Sequence, residues 1–316
     1  MIKSRVPYLI LCVMLLCFGA AIIVFPERYI QSCFQGFAMW AECVLPSLFP
    51  FMIITLIFVK TGMADKASLP LKKAMQKIKF PPCAGACFLM SVCSGYPAGS
   101  RIVNEFYEGG LIEKRDAPKL AYLCSSSGPL FILGSVGFKM FGDKIIGLKI
   151  LVAHILSIAT VSIIISLISK KSSASLMKRK PYKGNILYDV FYGAVLSVAV
   201  AGGFIAFFYV VSQFAADFKL LYPIKLIFNL FCDEQTAGAV CTGLIEATSG
   251  CRALSASDSF FAVPFAGFLI TFGGMSILCQ QLCYLVSIGV KPLKFIGVKA
   301  LQALLCFAFL LILNFI

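Results

Sequence analysis

Charge is scarce in this chain of 316 residues: Asp, Glu, Lys and Arg make up 13% of it, about half the share of a soluble domain. With 60% hydrophobic residues and a mean hydropathy of +0.93, that scarcity argues against a soluble globular fold. There is one His, and the 14 Cys are scattered through apolar segments with no Cys/His zinc spacing, so a structural zinc site is not expected. Cys83 with Cys87, and Cys279 with Cys283, stand four apart and read as small packing residues. Nothing suggests a disulfide framework. The apolar runs do not alternate, which argues against an outer-membrane barrel. What is abundant is Phe, 30 residues of it against a single Trp, spread over long apolar runs that indicate a multi-span α-helical membrane protein.

Acid is the rarer charge. Fourteen acidic residues face 28 basic ones, for a net charge of +14. Twelve of the basic residues crowd into 60–79 and 170–183, with Asp65 the one acid among them. This clustering marks cytoplasmic loops and not a nucleic-acid footprint. Lys3 and Arg5 precede an apolar run over 8–25, read as an uncleaved first span with a cytoplasmic N-terminus.

Residues 27–39 read as an amphipathic interfacial segment, and 40–59 as the second span, kinked at Pro46 and Pro50. Residues 81–93 are apolar but too short to span. They end in Ser94, Gly95, Tyr96, Pro97, Ala98 and Gly99, a cluster of helix breakers. A charged amphipathic stretch follows to 116. An apolar helix from 117 breaks at Ser125, Ser126, Ser127, Gly128 and Pro129 and resumes to 140; 145–168 is an ordinary span. The remainder repeats the plan. A span at 188–211 leads to a short apolar stretch at 224–245 and a break at Glu246, Ala247, Thr248, Ser249 and Gly250. A second apolar helix breaks at Thr271, Phe272, Gly273 and Gly274 and continues through Gln280 and Gln281. Lys291 and Lys294 precede the last span, with Lys299 in its first turns. Ala84-Gly85-Ala86 and Ala237-Gly238-Ala239 hold matching places in the two halves.

Placing both basic loops inside makes 81–116 and its counterpart re-entrant, with three crossings per half. The expected fold is all-α: a polytopic, inverted-repeat, transporter-like fold with re-entrant hairpins and broken helices. Its parts are a first transmembrane helix and interfacial segment (1–35), a first repeat (36–169), a basic cytoplasmic loop (170–187) and a second, inverted repeat (188–316). Lys139, Lys144 and Lys149 fit this scheme least, because it puts them outside.

Non-helical backbone at membrane depth is tolerated only inside protein or beside a wet cavity. The free N–H groups at the start of each half-helix favour an anion. The expected site is therefore a midplane pocket for a small polar or anionic solute. It draws on Ser94, Gly95, Tyr96, Pro97, Ser125, Ser126, Ser127, Gly128, Glu246, Thr248, Ser249, Gly250, Gly273, Gly274 and Gln280. One such cluster alone reads equally well as a kink or a close helix contact; four in repeated positions favour the pocket. Glu246 reads as a proton relay or solute contact, or else as a surface loop position. Tyr96 suits stacking on an aromatic solute or an interfacial place. Arg101 reads as a solvated face or an anion contact, and His154 as a hydrogen-bonded packing residue.

Residues 94–100, the turn at Gly110-Leu111-Ile112 and the run from Ser125 to Gly137 resemble the YlbJ-type sporulation integral membrane proteins. Their pattern is S-G-Y-P-x-G, then a small polar pair, then G-P-x-F-I. Gly243–Gly250 and Gly273-Gly274-Met275-Ser276 are similar too, and the likeness runs from about Gly36 onward. These proteins are grouped with nucleoside-recognition, or Gate, domains, which include the membrane part of ferrous-iron transporters. Cys93-Ser94 departs from the Cys-Asn-x-Pro pattern of those transporters. The resemblance implies a role in endospore formation and movement of dipicolinate, a small aromatic dianion, across a cell or forespore membrane. The expected function is thus a transporter of a small anionic solute working by alternating access. A non-transporting nucleoside-recognition or scaffold protein of sporulation is the alternative. An enzyme is not expected, since a serine nucleophile would have His154 as its only histidine base, and no cofactor, metal or nucleic-acid partner is expected either.

Overall fold

The computed structural model describes residues 5–172, 182 and 184–314, and its regular structure there is entirely helical. Lys3 and most of the second basic loop, including Lys178, Arg179, Lys180 and Lys183, lie outside the described residues. Among the described residues, five helical runs are long and apolar enough to cross a bilayer: Pro26–Lys60, Lys144–Ile168, Ile186–Asp217, Ala262–Leu285 and Pro292–Asn314. Large apolar side chains such as Leu148, Ile164, Phe207, Leu301 and Leu304 point outward from them, where lipid, not water, is the compatible neighbour. The chain is an all-α polytopic membrane protein.

Helix α1 (Arg5–Val24) is followed by a continuous run of α2 (Pro26–Met39), a π-helical turn at Trp40–Val44, and α3 (Leu45–Lys60). The π-helical turn sits just ahead of Pro46, where a missing N–H and a bulky ring would otherwise break the ladder. Residues 27–39 pack along α10 (Ile186–Asp217). Their apolar stripe buries Tyr29, Gly36 and Met39, and a β-carbon on Gly36 would fall 2.6 Å from the Ala206 Cα. Arg28 and Tyr29 both reach Asp217 at 3.1 Å, so α2 begins where α10 ends.

Two short helices, α4 (Met63–Ala67) and α5 (Lys72–Lys77), carry the first basic loop. Then comes a helical hairpin, α6 (Ala84–Ser94) and α7 (Ala98–Glu108). Eleven residues of helix rise about 16 Å, roughly half a hydrocarbon core. Next, α8 (Ala117–Leu123) stops at the Ser125–Gly128 break and the chain resumes as a helix that is π-wound over Phe131–Met140, before α9 (Lys144–Ile168).

The second half follows the same order. Helix α10 leads through α11 (Tyr222–Phe228) to a hairpin of α12 (Glu234–Ile245) and α13 (Ala247–Leu254). A broken helix, α14 (Ala262–Phe272) with α15 (Gly274–Leu285), precedes α16 (Pro292–Asn314). Packing pairs like with like: α3 lies on α10, and α9 on α16. Each hairpin also touches the broken helix of the other half, α7 on α15 and α13 on Phe131–Met140. All four breaks are thereby drawn toward one centre.

Candidate functional site

The tip of the first hairpin is shaped by Gly95, whose φ of 70° and ψ of −167° lie in a region essentially reserved for glycine. It lets the chain turn through Tyr96 and Pro97 into α7. A β-carbon there would fall 2.6 Å from the Gly128 amide nitrogen, so the tip and the Ser125–Gly128 break are in backbone contact. The second half repeats the contact with other residues. A β-carbon on Gly274 would fall 2.7 Å from the Gly243 carbonyl oxygen and 3.2 Å from the Ala247 nitrogen.

Side chains then join the halves. The Tyr96 hydroxyl lies 3.2 Å from the carbonyl oxygens of Ser125 and Thr271. The Ser127 N–H donates to His154 Nε2 at 2.9 Å. A backbone N–H can only donate, so this nitrogen is the acceptor and the ring proton sits on Nδ1, which donates to Thr271 Oγ1 at 2.8 Å. Gln281 Oε1 accepts from the hydroxyls of Ser125 and Ser100. Lys299 Nζ donates to Tyr96 Oη at 2.8 Å and to the Ser125 carbonyl at 3.0 Å. The whole cluster is buried.

Beside it lies a cavity of about 40 Å³ bordered by Tyr96, Ser127, Glu246, Thr248 and Gln280, with Leu48 and Phe131 among its apolar walls. Five of the residues expected at the site therefore share one chamber. Its volume suits a few waters and falls well short of the roughly 300 Å³ at the lower end of ligand pockets.

The other expected residues take different places. The break at Glu246 is one residue long: Thr248, Ser249 and Gly250 belong to α13. Their helix start is not open to an external anion, because Glu246 fills it. Its carboxylate accepts from the N–H groups of Thr248 (3.1 Å) and Ser249 (2.6 Å), the position in which a capping carboxylate is stabilised by the helix terminus. Gly250 is a packing glycine, since a β-carbon would fall 2.3 Å from the Gly243 Cα. Ser94 pairs with Thr55 and donates to the Met90 carbonyl at 2.8 Å. Ser125 and Ser126 serve the polar cluster. Gly273 and Gly274, with φ of 94° and 62°, form the break itself without bordering the chamber. Arg101 binds the Gly193 carbonyl, Ser197 and Glu105, tying α7 to α10.

Sequence reading passed over Lys299 and Thr271 as site residues and, of the adjacent Gln280 and Gln281, took Gln280 for the pocket. Lys299 carried the clearest signal, being a lysine inside an apolar helix; Thr271 and Gln281 carried almost none.

A larger cavity, of about 650 Å³, opens at Lys170 of the second basic loop and is tied through Lys119 to the first. Arg115, Lys119, Lys170, Lys291 and Lys294 line it, with Asp116 as the acid on its wall. Lys119 Nζ donates to the Lys79 carbonyl at 3.0 Å, anchoring α8 to the first basic loop. A wall with this sign concentrates anions.

No family model matches the chain, and no solved structure matches it. It is similar to the sporulation integral membrane protein YlbJ of Bacillus subtilis (strain 168), with 24% identity over 340 aligned positions that cover 98% of this chain and 83% of the relative.

Proposed function

We propose that this protein carries a small anionic solute across a membrane by alternating access between two inverted halves, with dipicolinate in endospore formation as the leading solute. One observation carries the reading: four helix interruptions, two from each half, meet around a single buried polar centre. Interrupted helices at midplane are how secondary transporters expose backbone and polar side chains to a solute. The matched pairings of α3 with α10 and α9 with α16 support the division into repeats 36–169 and 188–316. The basic cavity supports an anion, and the basic loops support a cytoplasmic N-terminus and cytoplasmic cavity mouth. The small chamber fits an occluded conformation, in which the solute enters only when the halves rock apart. The similarity to a sporulation protein supports a forespore or cell membrane as the setting.

Uptake by proteoliposomes tests this directly, with dipicolinate and uridine offered in parallel. Dipicolinate is expected to accumulate. The variant Gly128→Leu, which fills the contact between hairpin tip and break, is expected to reduce uptake by at least tenfold while the protein stays in the bilayer. A solute-dependent rise in melting temperature with uridine, and no flux of either compound, would favour the nucleoside-recognition reading instead.

A further inference from the structure

Lys299 is fully buried, with 0% of its surface exposed. Among the described residues no carboxylate pairs with it; its partners are the neutral oxygens of Tyr96 and Ser125, and its ammonium sits 4.9 Å from the Tyr96 ring centre. A buried amine so placed is costly to charge until an anion joins it. Once charged, it carries three N–H donors, one more than its two hydrogen bonds use.

A second donor without an acceptor belongs to a side chain that binds the same serine. Gln281 is also 0% exposed. Its Oε1 accepts from Ser125 and Ser100, while its Nε2 finds no acceptor among the described residues. Lys299 thus binds the Ser125 carbonyl and Gln281 its hydroxyl, and each has donor capacity beyond those bonds. The half-helix amides are not in the same position. Ser127 N–H is taken by His154, and the N–H groups of Thr248 and Ser249 are taken by Glu246.

We propose that Lys299 and Gln281, steadied by Tyr96 and Ser125, form the seat for one carboxylate of the transported solute. This rests on the reading of the protein as an anion carrier and adds that the anion is held by an amine and an amide, not by helix termini. A carboxylate has lone pairs enough to accept from both donors, and the ammonium supplies the charge-assisted bond. The basic cavity borders α16 at Gly297, Val298 and Leu301 without reaching Lys299 itself, so a solute would come to the seat from that side only when the halves move.

The test uses the full chain in lipid nanodiscs, with dipicolinate, picolinate and uridine as probes and calorimetric affinity and melting temperature as readouts. Wild type is expected to bind dipicolinate and not uridine. Lys299→Met is expected to weaken dipicolinate by about ten- to a hundredfold, the scale of a lost charge-assisted hydrogen bond, and Lys299→Arg to recover part of it. Gln281→Glu is the sharper variant. It puts a carboxylate beside Lys299, so it is expected to raise the melting temperature without ligand and to abolish dipicolinate binding. Wild type that binds neither carboxylate overturns the carrier reading and this seat with it. Wild type that binds dipicolinate, with Lys299→Met within threefold of it, overturns the seat alone. Should Lys299→Met fail to fold, Gln281→Glu decides: any result other than higher stability with lost binding overturns the proposal.

Discussion

At the tip of the first hairpin the chain leaves α6 through Gly95, Tyr96 and Pro97, none of which carries a charge. At the tip of the second it leaves α12 through Glu246 alone, and the carboxylate folds back onto the start of α13. The two tips occupy matching places and both press against a neighbouring break through backbone contact. They differ in how the freed backbone is satisfied. The second tip supplies its own anion. The first leans on the opposite half: Tyr96 meets Thr271, and His154 joins Ser127 to Thr271. The repeated topology secures close contact, while charge is divided unequally, with the acid on one tip and the amine of Lys299 against the other.

The comparison can be broken first at the contacts that both hairpins share. A β-carbon on Gly99 would fall 1.9 Å from the Cys124 carbonyl oxygen, and one on Gly250 2.3 Å from the Gly243 Cα. Gly99→Ala and Gly250→Ala are each expected to cost about 3 kcal/mol by overpacking against backbone, read as a loss of melting temperature in detergent. A Gly250→Ala protein as stable as wild type would show that the second hairpin is not closely packed, and the equivalence of the tips would fall.

The charge difference is sharpened by a pair of truncations. Glu246→Ala strands two backbone donors and removes a charged acceptor, for an expected loss of about 3 kcal/mol; His154→Ala strands the Ser127 N–H and removes the donor to Thr271 Oγ1, both neutral bonds, for about 1–2 kcal/mol. Parallel thermal unfolding would check the order, and equal losses would mean that the carboxylate has no special place at the second tip. The smallest effect is expected at Glu42, whose ion pair with Lys139 is 3.0 Å long but exposed. Glu42→Gln is expected to leave the melting temperature unchanged within error, and a clear fall would make that exposed contact part of the packing between the Trp40–Val44 turn and the Phe131–Met140 helix of the first half.

Much of the fold was legible because lipid imposes a simple rule. Long apolar runs must be helices, so α9, α10 and α16 follow from hydropathy, and the breaks follow from Gly, Ser and Pro clusters. The Glu246 break was legible in position but not in extent. Five residues of small and polar type read as an open turn, whereas a single capping carboxylate is enough to restart the helix at Ala247. Residues 27–39 were legible as an amphipathic helix but not in what covers them. An amphipathic stripe records that one face is covered without saying by what, and here α10 is the cover.

What the sequence determined by itself is therefore local: which segments are helical, where the helices stop, and which residues lack an apolar reason for their place. What only the tertiary structure decided is convergence. Thr271, Gln281 and Lys299 come from the second half and acquire meaning only when Tyr96, Ser125 and His154 are brought against them. The physical reason is that hydropathy and helix propensity act over a few residues. The partner of a buried polar group is set by which helices pack together, over separations such as the 203 residues between Tyr96 and Lys299.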